Sequence, residues 1–384
     1  MKTVKWILGV LLVLFLIAEG YILISGNTYL NTLLPKTIFS GRLNPDIDEL
    51  EWFKKNEIQS TQPKPWPLAK QYNKGVLHDS VLKQIEQYET VSFLVIKNDS
   101  LLYEKHWEGY DEKSYINSFS MAKSITAMLI GCALKDGLIQ SVDEPVANYL
   151  AEFNTPELQK ITIKHLLTMS SGLGFKEDYS SMFSWPAEAY YGPDVNGLTL
   201  KQSVAQEAPG KTWFYKGGDT QLLGMILKKV TNKTMAQYAT EKLWQPLGAE
   251  HPAYWSLDEH GMEKVSCCWY TNARDFARLA KLMMNFGYQN GVQLIDSAYV
   301  KEAITPAKLI DKKGLKSEQY GYQWWTMNHK GHAIFYARGI RGQYIFAIPS
   351  LKTIVVRLGH KRAKKAGDEL PADIFTYLDA ALSL

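Results

Sequence analysis

The placement of strand-like and helix-like segments constrains this chain most. Strand patterns gather near its two ends and helix patterns fill the middle. Early on, residues 91–96 form an apolar, β-branched run, Asn98-Asp99 is a turn, and residues 101–107 return with Tyr103, Lys105 and Trp107 on one face. Late in the chain, strands are expected at 322–326, 333–337, 344–348 and 353–358, the last two joined by Pro349-Ser350-Leu351-Lys352. Between these groups apolar residues recur at helical spacing from Met121 onward, at 161–173, at 222–230, at 235–243 and at 273–286. Further helices are expected at 80–88 and about 372–382. The simplest packing joins the early hairpin to the late strands. The expected fold is therefore α+β. An antiparallel sheet flanked by helices (residues about 76–119 and 310–384) stands beside a mostly helical lobe (about 120–309), with a pocket at their junction.

The N-terminus carries a second constraint. Lys2 and Lys5 precede an apolar run over residues 6–24, broken only by Glu19 and two glycines. That length spans a bilayer. The positive residues before it put the N-terminus in the cytoplasm and the body outside, on the periplasmic side of an inner membrane. A cleaved signal peptide is the alternative, with Leu16-Ile17-Ala18 as its small-residue site. The long apolar run and the immediate Glu19 favour an uncleaved anchor. The expected organisation is a transmembrane helix over 1–25, a connector over 26–75 stiffened by Pro63-Lys64-Pro65-Trp66-Pro67, and a catalytic domain over 76–384.

Net charge is +4, too small and too dispersed to suggest a nucleic-acid partner. Cys132 falls on an apolar helix, while Cys267 and Cys268 are adjacent, an uncommon arrangement for pairing, so no disulfide framework is expected. Neither His-Glu-x-x-His nor Cys-x-x-Cys occurs, and His329-Lys330-Gly331-His332 reads as a solvated turn, so no metal and no cofactor are expected. Oligomeric state is not legible.

Chemistry concentrates at the start of the first central helix, in Ser120-Met121-Ala122-Lys123. Residues three apart share a helix face, so Ser120 and Lys123 can meet. A desolvated lysine can take the proton of a serine hydroxyl, and a first-turn backbone N–H lacks an intrahelical partner and can face an oxyanion. The same pattern occurs at Ser80-Val81-Leu82-Lys83, on a short amphipathic segment where it reads as accidental. On local sequence alone, a nucleophile and an ordinary helix-start serine are equally supported at Ser120. No Gly-x-Ser-x-Gly elbow and no phosphate-binding Gly-Lys-Ser/Thr loop is present.

Ser120-Met121-Ala122-Lys123, the segment from Leu138 to Leu150, and Ile163-Lys164-His165-Leu166-Leu167-Thr168-Met169-Ser170-Ser171-Gly172-Leu173 together resemble the serine β-lactamase-related family of class C β-lactamases, D,D-peptidases and esterases. The stretch Pro209-Gly210 … Tyr215 … Asp219-Thr220-Gln221-Leu222-Leu223-Gly224 is similar to its tyrosine-motif region. Residues 272–278, Gln323-Trp324-Trp325 and Gly339-Ile340-Arg341-Gly342-Gln343 look most like 6-aminohexanoate-dimer hydrolases within that family. The resemblance implies an acyl-enzyme on Ser120, a proton relay through Lys123 and Tyr215, and oxyanion donors in the backbone of Ser120 and Ile340.

Two departures bear on the substrate. The family's Tyr-x-Asn is Tyr215-Lys216-Gly217 here, with Lys216 either standing in for the amide or, the favoured reading, facing solvent. The third motif, Lys-Thr-Gly or His-Thr-Gly in many relatives, is Ala337-Arg338-Gly339, which argues against strong β-lactamase activity. Arg338 or Arg341 is a candidate for pairing with a substrate carboxylate, and a surface role fits either equally well. The long loop over 175–197 is expected to wall the pocket, with Trp185 and Tyr190 as tentative substrate contacts. The expected function is hydrolysis of an ester or small amide through an acyl-enzyme on Ser120, with a small-molecule ester, amide or short peptide as substrate. The alternatives are a D,D-peptidase or weak β-lactamase acting on cell-wall peptides, and a non-catalytic protein that binds cell-wall fragments.

Overall fold

A computed structural model describes residues 2–42, 44–364 and 370–384. Its central element is a six-stranded antiparallel sheet. In spatial order the strands are Trp325–His329, His332–Gly339, Gln343–Ile348, Thr353–Gly359, Thr90–Lys97 and Ser100–His106. The early hairpin and the late strands thus form one sheet, with Lys97 paired to Thr353 and Phe93 to Arg357.

Alternation along the strands explains how both faces are buried. Leu94, Ile96, Ala337, Ile345, Ala347, Ile354 and Val356 join the large core shared with the helical lobe. Phe93, Val95, Tyr336, Tyr344, Phe346 and Val355 point the other way into a second core. That second core is closed by the Asp79–Glu86 and Asp373–Leu382 helices, which contribute Ile85, Ile374, Tyr377 and Leu378. The Ala273–Met284 helix covers the first face.

An ion-pair chain fastens this helix to the sheet. Arg274 grips Glu104 through two bonds, Nε to Oε1 at 2.9 Å and Nη2 to Oε2 at 2.6 Å, while Arg278 bonds Asp275 at 2.9 Å and Glu250 at 2.8 Å. Asp275 also accepts the backbone N–H groups of Glu250 and His251. Burial pushes the Glu104 carboxyl up, but hydrogen bonds from His106 and Arg274 and the Arg274 charge outweigh it, bringing the pKa from 4.5 to about 2. A depressed carboxylate stabilises the fold above its unfolded pKa and loses that contribution as pH falls through the folded value. Glu104→Gln is therefore expected to cost on the order of 2 kcal/mol at neutral pH. In thermal melts of the detergent-solubilised chain, the gap between wild type and variant should close as pH falls from 4.5 towards about 2.

Several expectations change. Residues 26–75 are more than a connector. They hold the Leu30–Ser40 helix, and Lys55–Ile58 pairs with Ala253–Ser256 in a small sheet that also contains Trp269–Thr271 and Ile116–Asn117. The loop over 175–197 contains the Trp185–Tyr191 helix, entered through Pro186 in its first turn. Cys267 and Cys268 are joined by a disulfide, contrary to the expectation. His329 bonds Asp379 at 2.6 Å instead of standing free in solvent. Lys2–Ser25 is a continuous helix whose stretch Thr3–Ser25 is long and apolar enough to cross a membrane.

Candidate active site

The Met121–Lys135 helix is buried on nearly every side, which its run of Ala, Ile, Met and Leu permits. Gly131 is required there, because a Cβ would come within 2.6 Å of Ile295 and 2.8 Å of Tyr299. Gly137, in the left-handed region at φ +71, follows the helix end. Ser120 occupies the N-cap position, yet its side chain caps nothing. The hydroxyl instead accepts a bond from Lys123 Nζ at 3.1 Å. Lys123 is 3 % exposed, and its amine also donates to the Ser266 carbonyl at 2.7 Å. The residue before Ser120, Phe119, sits at φ +43, a costly conformation for a bulky side chain. It is held by a bond from its N–H to Asn117 Oδ1 at 2.9 Å and by near-complete burial. Such local strain gathers at functional sites.

Tyr215 meets this pair from the stretch just ahead of the Gly217–Thr231 helix. Its ring centroid lies 5.2 Å from Lys123 Nζ, 5.4 Å from the Trp325 ring and 6.1 Å from the Tyr320 ring. The structure thus brings Ser120, Lys123 and Tyr215 together. Gln323 braces the assembly. Its carbonyl accepts from Ser124 on the serine helix, its side-chain oxygen from Thr220 on the Gly217–Thr231 helix, and its amide nitrogen donates to Leu166 and Leu167. The turn carrying Ile340 is pressed against the same place, since a Cβ on Gly339 would lie 2.3 Å from the Ser118 carbonyl oxygen.

Lys216 does not face solvent. It is 1 % exposed, bonds Ser171 Oγ at 3.0 Å and the Leu173 carbonyl at 3.3 Å, and lies 3.8 Å from Asp219. Three oxygen partners make the burial of its charge tolerable. Burial pushes Asp219 up to about 6 against the pull of Lys216 and Ser171. The absent Asn also has a steric reason: a Cβ at Gly217 would come within 2.2 Å of the Trp185 ring, and one at Gly218 within 2.4 Å of Phe175. Gly217→Ala should therefore cost about 1–3 kcal/mol by overpacking. Trp185→Leu in the same chain should recover part of that loss, read as thermal midpoints.

The tentative substrate contacts separate. Trp185 is 2 % exposed and packs behind the tyrosine motif. Tyr190 faces the N-terminal segment and donates to Glu49 Oε2 at 2.6 Å, where burial pushes the Glu49 carboxyl up to about 7. The Arg341 guanidinium is occupied by the carbonyls of Pro45 at 2.6 Å, His360 at 2.9 Å and Asn44 at 3.2 Å. Arg338 stacks 3.7 Å over the same Trp325 ring that flanks Tyr215.

Sequence reasoning missed two residues at the mouth. Tyr179 is 47 % exposed as a residue, but its hydroxyl donates to Glu177 Oε1 at 2.7 Å and lies beside the Ser120 hydroxyl. Burial of that hydroxyl, then the neighbouring Glu177 and Tyr215, hold its pKa well above 10, so it stays a donor at neutral pH. Glu177 also accepts the Gly217 N–H at 2.9 Å, and its Oε2 is buried with no hydrogen-bond partner. Burial raises its pKa, against Lys123 and Tyr179. The only signal in the sequence was the length and acidity of the loop. Among the described residues, no group of three His, Cys, Asp or Glu side chains could hold a metal ion.

This geometry can be set beside known proteins. The family model described as Beta-lactamase matches residues 78–376. The 6-aminohexanoate-dimer hydrolase of Paenarthrobacter ureafaciens is 22 % identical over 292 residues, 72 % of this chain and 74 % of that protein. Among solved structures, a Bacillus anthracis protein provisionally described as a 6-aminohexanoate-dimer hydrolase superposes with a TM-score of 0.73 at 21 % identity, covering 88 % of this chain and 91 % of that one. A family VIII carboxylesterase gives 0.62 at 17 %, covering 83 % and 99 %.

Proposed function

The chain belongs to the β-lactamase family of serine hydrolases, and on that premise we propose that it cleaves an ester or small amide with Ser120 as nucleophile. The observation that carries this reading is the buried Lys123 amine, 3.1 Å from Ser120 Oγ and fixed by the Ser266 carbonyl. Ser120 Oγ attacks the carbonyl carbon while its proton passes to Lys123 and Tyr215. The backbone N–H groups of Ser120 and Ile340 receive the oxyanion. The carbonyl–oxygen or carbonyl–nitrogen bond then breaks, and the leaving group takes the proton held by the relay, while the Tyr179 hydroxyl can offer it a hydrogen bond. Water adds to the acyl carbon, returns a proton to the relay and releases Ser120. These steps call on no metal or organic cofactor.

Arg338, held on Trp325 beside Tyr215, is the arginine we assign to a substrate carboxylate. Arg341 receives no such role. Thr3–Ser25 acts as an uncleaved anchor in this reading, with the catalytic body outside the cytoplasm, supported by Lys2 and Lys5 ahead of it.

The test is labelling by a fluorescent fluorophosphonate and by a fluorescent penicillin, each against Ser120→Ala. Labelling of wild type by the fluorophosphonate alone is the expected result. Strong penicillin labelling would move the assignment to a D,D-peptidase. Absence of serine-dependent labelling, with no turnover on an ester panel, would overturn the enzymatic reading in favour of a binding protein.

A further inference from the structure

The loop that bears Glu177 and Tyr179 is bonded directly to the chain leaving the N-terminal helix. Tyr29, 2 % exposed, donates its hydroxyl to the Met182 carbonyl at 2.8 Å. Tyr29 lies four residues beyond Ser25, the last residue of the apolar helix. Fully extended, four residues reach at most ~14 Å. The junction is also packed. Ile22, Tyr29, Leu30 and Leu33 belong to the main core, and Asn31 bonds Glu19 at 3.1 Å. The body therefore does not swing on a long tether, and its active-site loop stays close to where the anchor leaves the bilayer.

That loop carries apolar side chains that the protein itself does not cover. Met182 is 46 % and Phe183 44 % exposed, next to the half-exposed ring of Tyr179. On the adjoining Leu30–Ser40 helix, Ile38 is 71 % and Phe39 88 % exposed. Scattered apolar residues on a surface need no explanation. These lie on two segments joined at Tyr29, which stands four residues beyond the apolar span, bonds Met182 and precedes the Leu30–Ser40 helix. Next to a span, apolar and aromatic side chains partition into the interface.

We infer that the mouth of the Ser120 site rests on the outer face of the bilayer, with Met182 and Phe183 in the headgroup region. Its substrate class is then an amphiphilic ester or amide whose acyl chain stays in the membrane and enters laterally past Tyr179. The inference rests on the proposed nucleophile and on an intact anchor. The scissile bond is still broken by Ser120 and water, so the products are a carboxylate and an alcohol or amine.

The experiment uses the full chain in vesicles of phosphatidylethanolamine and phosphatidylglycerol. It compares membrane-inserted p-nitrophenyl palmitate with soluble p-nitrophenyl acetate. Met182→Ser/Phe183→Ser should lower kcat/KM for the inserted ester by about tenfold and leave the soluble ester within about twofold. Equal effects on both esters, or none on either, would overturn the proposal. A Phe183→Trp chain, read against the same chain without that change because Trp6 already lies in the apolar helix, supplies a readout that needs no turnover. Brominated lipids should quench the fluorescence added by the new tryptophan, and no quenching beyond that of the parent chain would also overturn the proposal. If Ser120→Ala keeps both activities, the nucleophile assignment has failed, and the quenching result still judges the membrane contact on its own.

Discussion

Replacing Ser120 by alanine should lower kcat by about 10⁵-fold or more, because removing a nucleophile leaves only binding and oxyanion stabilisation. The fold should hardly notice. The hydroxyl caps no helix and accepts a single bond, from Lys123. The thermal midpoint should therefore move by less than about 1 kcal/mol in equivalent stability. Turnover by Ser120→Ala within tenfold of wild type would sink the assignment, whatever the labelling showed.

Lys123→Met is the second large effect, and it separates chemistry from stability. A base of this kind contributes about 10²–10⁴ in rate, so a fall of about 10³ is expected. Methionine fills similar space and removes a buried amine that has two hydrogen bonds. Melting should stay level or rise while activity collapses, the trade expected where function demands a costly group. Tyr215→Phe should fall in the same range. The Lys123→Met/Tyr215→Phe double variant should be little worse than either alone, because groups that act as one relay do not contribute additively. Full additivity would put the two residues in separate steps.

The sheet and the meeting of Ser120, Lys123 and Tyr215 were legible for different reasons. Apolar alternation announces strands wherever they fall, so the hairpin at 90–106 and the late strands can be paired from sequence alone. Ser120, Lys123 and Tyr215 were legible through motif context, since Ser-x-x-Lys also occurs harmlessly at Ser80. Lys216 was misread because nothing local reveals Ser171, Leu173 and Asp219 as its partners. Tyr190 and Arg341, both offered as candidate substrate contacts, are instead bonded by the segment over 44–49, which has no periodicity to say where it packs. Tyr179 escaped notice because a tyrosine in a polar loop carries no signal until the fold carries that loop to Ser120.

The strand order also sets a timetable for biogenesis. Thr90–Lys97 emerges early, but one of its two neighbours is Thr353–Gly359. At ~5–20 residues per second, the intervening chain takes roughly ten to fifty seconds to appear. Throughout that interval the β-branched edge of Thr90–Lys97 is open on one side, already beyond the membrane if the anchor leads the way. The serine helix is likewise made long before the Gly339-Ile340 turn that presses against Ser118 and Phe119. A nascent or C-terminally truncated chain thus has Ser120 in place without the turn that packs beside it, and if Ile340 donates to the oxyanion as proposed, hydrolysis is expected only when synthesis is nearly complete.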